Sequence, residues 1–448
     1  MYVKEESLSV QLRSHVCEYG DLLRSKTRSY LTQSHQYLCG LFQSGKRNIE
    51  QMSETVPDTD YQRLHHFISE SPWDWEPVLD RLNLEAYGGL VGGQRGIGYI
   101  IDESGWKKQG DHSVGVARQY LGSLGKVDNG QVAVVGSLCR GRDALLVDFS
   151  LYLPQSWTSA ASRCEKAQIP ASDRAFLTKV ERAHQLVQRA WDRGLELDWV
   201  GADAAYGHDS KFRRWLDEHA QLYVLDIHAN DQVYLEDPCP YLPTSSEGKG
   251  RPRSRLQTDH STLAVEHLWQ QMGREHAELC GVRPGSKGLL KRKVWTREVY
   301  TWDGKQEQAR QETLIVSVQP DGANIKYSLA NNQIAQLSDK ELLFRQMQRF
   351  WVEQSIKEAK SELGMHHYQV RNWVAWHHHM TLTCMALLFM HKIRMSKSEE
   401  QPLLSCNDIR TILVAALPQK MTNEQIAWEI IRARHKKRQE DIDRFYPK

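Results

Sequence analysis

Residues 97–122, IGYIIDESGWKKQGDHSVGVARQYLG, carry five mostly apolar residues into Asp102 and then turn polar. An apolar run of this length bounded by a polar turn reads as a buried strand, here one expected to finish on Asp102. Further strands follow at 112–122, at QVAVVGSL (131–138) and at ALLVDFSLYL (144–153), with CRGRD as a hairpin connection between the last two. They read as a largely antiparallel meander. A helix-period segment over 173–193 carries Leu177, Val180, Leu186, Val187, Ala190 and Trp191, and the strand ELDWVGAD then ends on a second aspartate, Asp203. A short helix at SKFRRWLDEHA and the strand QLYVLDI complete the order β-β-β-α-β-α-β, which few α/β architectures match.

On either side the character changes. Residues 1–95 read as helices, interrupted at SGKRN and by Pro72 and Pro77. From 229 a Pro-, Ser-, Gly- and Arg-rich stretch opens an insertion whose strands are KRKVWTREVYTW, TLIVSV and IKYSLA. Helices return at 339–363 and 373–394 and continue into the tail. The expected organisation is therefore a helical DNA-binding part (1–95), a core interrupted into 96–228 and 335–395, a β-rich insertion (229–334) and a helical tail (396–448).

Composition sets limits. The 448 residues hold 58 basic and 56 acidic side chains, a net charge of +2, so any nucleic-acid surface must come from segregated charge. Eight cysteines occur without a CxxC pair, which points away from a zinc site or disulfide framework and towards reduced thiols in a cytosolic protein. The start of the chain has no signal-like apolar region, and no window is long and apolar enough to span a membrane.

In RQMQRFWVEQSIKEAKSELG (345–364), helical geometry aligns Arg349, Glu353, Lys357 and Lys360 on one stripe. Val352, Ile356, Ala359 and Leu363 form the adjacent stripe, so packing that face leaves Glu353 at the edge of the buried surface, with Glu358 on the far side. By itself this describes a surface helix laced with ion pairs. Two strands ending in aspartate add two carboxylates from distant parts of the chain, and three carboxylates without sulfur or imidazole favour hard cations such as Mg²⁺ or Mn²⁺.

The order of elements resembles the RNase H-like (retroviral-integrase-like) fold, and the motifs resemble those of DDE transposases of bacterial insertion sequences. Within the superfamily named after insertion sequence four, the signature is Tyr, two residues, Arg, three residues, Glu, six residues, Lys. Arg349, Glu353 and Lys360 stand in that register, and Gln346 replaces the tyrosine. The chain is also similar to the family named after insertion sequence seven-zero-one at QRLHHFISESPWDWEPVLDRL, IDESGWKKQGDHSVGVARQY, LYLPQSW, GADAAYG and EQSIKEAKSELGMHHYQVRNWVAWHHHMTL, from about residue 60 to 390.

The resemblance implies a catalytic, metal-binding triad of Asp102, Asp203 and Glu353. It would hold two Mg²⁺ ions, for which Mn²⁺ substitutes, roughly 3.5 to 4 Å apart. Asp102 and Asp203 would share one ion because the first and fourth strands of that fold lie side by side. Arg349, Lys357 and Lys360, with Lys107 and Lys108 in the turn after the first strand, would contact phosphates. The implied partners are double-stranded DNA, as terminal inverted repeats and target, and a second copy of the chain joined on DNA; the setting is the bacterial cytoplasm, at the nucleoid.

Other residues carry two readings. Trp295 and Trp302 sit in insertion strands, where related hairpin-forming transposases hold a flipped base against an aromatic, but a strand tryptophan also packs a local core. His65–His66, His366–His367 and His377–His379 invite a metal reading, yet adjacent helical residues diverge by about 100°, so phosphate contact or the helix surface is the expectation for them, with His367 and Tyr368 flanking DNA. GRPRSR (250–255) is similar to a minor-groove arm or is a solvated linker, and RARHKKR (432–438) tracks phosphates or keeps a helix soluble. Trp73 and Trp75 are expected to pin a tight turn. Against the transposase stand a glycoside hydrolase, disfavoured by the small, apolar or basic neighbours of the acids, and a domesticated DNA-binding protein that no longer cuts.

Overall fold

The computed structural model describes residues 7–90, 96–243, 254–285, 288–420 and 423–445; residues 250–253 of the GRPRSR motif (250–255) lie outside them. The chain divides into two units, a helical one of Met1–Leu79, Glu165–Ile169 and Glu358–Lys448 and a sheet unit of Asp80–Cys164 and Pro170–Lys357.

The chain begins with α1 (Leu8–Cys17), α2 (Leu31–Gln43), α3 (Ile49–Thr55), α4 (Tyr61–Ser69) and α5 (Trp75–Leu90). Their starts are written in side chains: Asn48 accepts from the Gln51 amide at 2.9 Å and Asp60 from the Arg63 amide at 2.9 Å, each satisfying a first-turn N–H. Pro77 does not interrupt, as the pattern led one to expect; it sits in the first turn of α5, where its missing N–H would have had no intrahelical partner.

The sheet unit is built on β1 (Gly98–Lys107), β2 (Ala117–Leu121), β3 (Lys126–Arg140), β4 (Asp143–Leu151), then α6 (Lys179–Asp192), β5 (Trp199–Ala202), α7 (Ser210–Glu218) and β6 (Tyr223–Asp226). The sequence places the start of α6 near 173; it begins at 179 because Thr178 and Glu181 form a reciprocal capping box. Four insertion strands follow: β7 (Glu278–Gly285), β8 (Gly288–Thr301), β9 (Arg310–Val318) and β10 (Lys326–Ala330). Together they form a ten-stranded mixed sheet, ordered β7-β8-β9-β10-β6-β5-β1-β3-β2, with β4 also on β3. Within it β1, β5 and β6 are parallel, as their helical connections require, while β3 and β4 are antiparallel hairpin partners.

Three expectations are corrected here. The strand does not finish on Asp102: β1 runs on to Lys107, paired with β3 throughout, and what ends beside Asp102 is its parallel neighbour, whose last pair is Ile101 with Ala202. The stretch 229–334 does not stand alone, since β10 pairs with β6 at Ser328–Asp226 and prolongs the core sheet. The stretch 335–395 is divided, its first helix turns belonging to the sheet unit and residues beyond Lys357 to the helical unit.

The helix α8 (Asp339–Ser361) buries Val352, Ile356 and Ala359, the anticipated stripe. It is pinned by Gln346, which donates to the Ser328 hydroxyl at 2.8 Å and accepts from the Ser317 hydroxyl at 2.5 Å, tying α8 to β9 and β10. A fully buried amide so placed gives a physical role to the residue that departs from the tyrosine signature.

The helical unit is completed by α9 (Trp373–Ser396), α10 (Cys406–Ala416) and α11 (Asn423–Phe445). Nearly every side chain of α9 is buried, and α2, α4 and α10 pack on it. Its histidines are therefore not at a surface. His377 stacks on Trp75 with centroids 4.4 Å apart, His378 on Trp73 at 3.8 Å, and His379 accepts from the Tyr37 hydroxyl at 2.8 Å. Trp73 and Trp75 do pin their turn. Tyr368 is buried as well and so is not displayed as anticipated, while His367 is half-buried and accepts from the Arg47 amide. The basic run 432–438 lies exposed on α11. Among the described residues no helix is long and apolar enough to cross a membrane.

Candidate active site

The parallel register decides where the acids fall. Ile101 pairs with Ala202, and Ala202 with Leu225, so the next residues, Asp102, Asp203 and Asp226, form a row where β5 and β6 end and Asp102 sits midway along β1. Open α/β sheets bind their ligands at such ends. The chain turns sharply after Asp203, whose carboxylate accepts from the Ala205 amide at 3.0 Å and caps the short helix Ala204–Gly207. That turn needs Gly207: a Cβ there would meet the Asp226 carbonyl oxygen at 1.9 Å.

α8 brings Arg349 and Glu353 to this row. The Arg349 guanidinium makes three ion pairs, with Asp226 at 3.0 Å, Glu353 at 2.9 Å and Asp102 at 3.5 Å. Glu353 is half exposed, whereas the Asp102 side chain is only 13% exposed. Burial pushes the Asp102 carboxyl up to about 7, Arg349 opposing and the neighbouring Asp203 and Glu353 adding to the rise. Burial raises Asp203 in the same sense. Arg349 is itself disfavoured by burial, but Asp226, Asp102, Glu353 and Asp203 outweigh that and hold it above its ordinary value.

The donor set suits a hard divalent cation: it is all carboxylate oxygen, and the leading positive charge beside the desolvated pair Asp102 and Asp203 is the Arg349 guanidinium. Among the described residues the oxygens of Asp102, Asp203 and Glu353 do not close to within 4.8 Å of one another, Arg349 being the group that bridges Asp102 and Glu353.

The anticipated cations fare differently. Arg349 is engaged by carboxylates of its own chain. Lys357 is exposed one turn beyond Glu353, and Lys360 lies in the last turn of α8, past the boundary between the units. Lys107 is half exposed and pairs with Asp128 at 3.1 Å, while burial brings Lys108 down to about 7. Trp295 belongs to the hydrophobic cluster that covers the insertion strands, with Trp269, Val299, Val316 and Leu329, and is only 8% exposed; its position is that of a core tryptophan, not of a base platform. Glu358 faces away from the acids, as the helical geometry demands, but it accepts a contact from the Cys406 thiol at 3.2 Å.

The sequence reading missed Asp226, which also accepts from the Ser328 hydroxyl at 2.6 Å, and Glu103, which pairs with Lys179. Asp226 carried a signal: QLYVLDI, like the other two strands, runs apolar residues into an aspartate.

A row of aspartates on neighbouring parallel strands, with an acid from a packed helix, offers carboxylate oxygens of the kind that hold divalent ions in nucleases. The chain belongs to the DDE superfamily of endonucleases, whose family model matches residues 19–289. This class works with divalent metal. Among particular proteins, the chain is similar to the probable transposase for insertion sequence element IS701 of Microchaete diplosiphon, 27% identical over 368 residues that cover 82% of this chain and 83% of that one. A solved structure, the synaptic complex of piggyBac transposase with hairpin DNA, is similar at 10% identity and a TM-score of 0.35, over 95% of this chain and 87% of that chain.

Proposed function

We propose that the chain is the transposase of a bacterial insertion sequence, acting at the nucleoid, which binds the element's terminal inverted repeats, cleaves the DNA strand and transfers the 3′-end into target DNA. The sheet segment β4-β3-β1-β5-β6, antiparallel then parallel, supports an RNase H-like core. The observation that carries the reading is the alignment of Asp102 and Asp203 on adjacent parallel strands with Glu353 on the helix packed beside them.

Asp102, Asp203 and Glu353 would hold two Mg²⁺ ions, which when bound activate a water or 3′-hydroxyl and stabilise the leaving oxygen of a phosphodiester. The chain's own contribution is orientation. Asp203 is fixed by its capping bond to Ala205, Asp102 accepts from the Glu103 amide at 2.7 Å, and α8 sets the reach of Glu353. Lys357 and Lys360 would supply positive charge for phosphates, with Lys107 and Lys108 joining them where a phosphate displaces Asp128 from Lys107 and holds Lys108 protonated, each contact adding to a salt-dependent affinity.

Incubation with duplexes bearing the element's ends and Mg²⁺, with nicks and joined products mapped, tests this. Asp102→Asn, Asp203→Asn and Glu353→Gln are each expected to abolish cleavage and leave end binding largely intact. Near-normal nicking by any one of them would remove it from the triad, and binding without cleavage by the unaltered chain would identify the non-cutting relative instead.

A further inference from the structure

We infer that Arg349 is a resident counter-ion of the carboxylate cluster, latched by Asp226, and that divalent cations load only when a DNA phosphate draws it away. The inference rests on reading Asp102, Asp203 and Glu353 as cation ligands and adds to it an occupant and a condition for exchange.

The geometry is specific. One guanidinium reaches Asp102 at 3.5 Å and Glu353 at 2.9 Å, two of the three proposed ligands, and its Nε meets Asp226 at 3.0 Å. Asp226 is held in turn by the Ser328 hydroxyl at 2.6 Å, on a strand in register with its own. The backbone of Arg349 is fixed as well, because Gln346, one turn earlier, is locked into β9 and β10. Only the side chain is left to move, and at 23% exposure it has a path to solvent.

Charge makes the two occupants exclusive. A guanidinium kept within a few ångströms of a divalent ion repels it, so an ion on Asp102 and Glu353 and Arg349 on the same oxygens compete. Arg349 needs an anion elsewhere, and a phosphate accepts its planar fork through two parallel hydrogen bonds. The cluster would then gain cations as DNA arrives, and by reciprocity cations would tighten DNA binding. A chain without DNA would be protected from holding a loaded, indiscriminate nuclease centre.

The test is Mn²⁺ binding to the full chain, read from the electron paramagnetic resonance of the unbound ion, with and without a duplex bearing the element's end. Without DNA, Arg349→Gln is expected to bind Mn²⁺ about tenfold tighter than the unaltered chain, within the usual range of site-to-site coupling. DNA should tighten the unaltered chain by a similar factor and leave Arg349→Gln unchanged. Arg349→Lys, which keeps the charge but lacks the fork needed to span three carboxylates, should fall between, and thermal melts check that both variants fold. Affinity no tighter than the unaltered chain in both variants overturns the inference. Asp102→Asn combined with Arg349→Gln separates the two levels: persistence of Mn²⁺ binding there, or no binding by any form, sinks the ligand assignment itself.

Discussion

At His378 both ring nitrogens face carbonyl oxygens, Nδ1 that of Ile68 and Nε2 that of Trp73, each at 3.0 Å. A neutral imidazole has one N–H to donate, so one contact is left without a proton. Burial nevertheless dominates and takes the group down to about 4, the two carbonyls opposing. The sign follows from proton counting. Above about 6.5 neither the folded nor the unfolded chain protonates this residue; between 6.5 and 4 only the unfolded chain does, so stability falls as pH falls and levels off below 4. The whole effect is about 3 kcal/mol at most. Thermal midpoints measured from pH 7.5 to 5 should therefore drop faster for the unaltered chain than for His378→Gln, and parallel slopes would show that this histidine does not titrate as argued. The triplet 377–379 was visible in the sequence as a cluster; what it could not show was that α9 is buried on every side.

The element that binds scaffold to chemistry is α8. Its two stripes were legible because helical periodicity is a local property: Val352, Ile356 and Ala359 are buried and Glu353 stands at their edge. The role of Gln346 was not, since it depends on Ser317 and Ser328 from two strands that pair only in the folded sheet. Gln346→Leu keeps the volume but removes the acceptor of the Ser317 hydroxyl proton and the donor to the Ser328 hydroxyl, with Arg292 still donating to Ser317, so a loss of about 1–3 kcal/mol is expected in denaturant or thermal unfolding. An unchanged midpoint would mean that the amide does not anchor the helix. Glu358→Gln, which helical geometry alone offers as a neutral control for Glu353, touches a packed thiol and is not one.

For the molecule as a whole, the proposed reaction must hold two DNA ends, and the cluster Asp102, Asp203 and Glu353 occurs once per chain. Two chains are then the minimum, and a two-fold pair gives each end its own cluster with closed symmetry. With a net charge of only +2, DNA rather than bulk electrostatics is the agent expected to bring the copies together. Light scattering should show a mass increase to two chains only when end-bearing duplex is added; a productive complex of one chain with both ends would refute the arrangement.

By itself the sequence determined the strands that run into aspartates, the helix that presents Glu353 beside an apolar stripe, and the motif register of Arg349, because these depend on spacing along one segment. It also carried Asp226 in plain sight without ranking it. Only the tertiary structure decided that β1, β5 and β6 lie side by side, which turns three separate aspartates into a row and lets one guanidinium reach Asp102, Asp226 and Glu353. It likewise decided that Trp295 and the α9 histidines are covered and that the insertion strands prolong the core sheet. The reason is common to all of these: strand order and the covering of a face are set by pairings between residues far apart in the chain, and periodicity within a segment contains no record of which partner it meets.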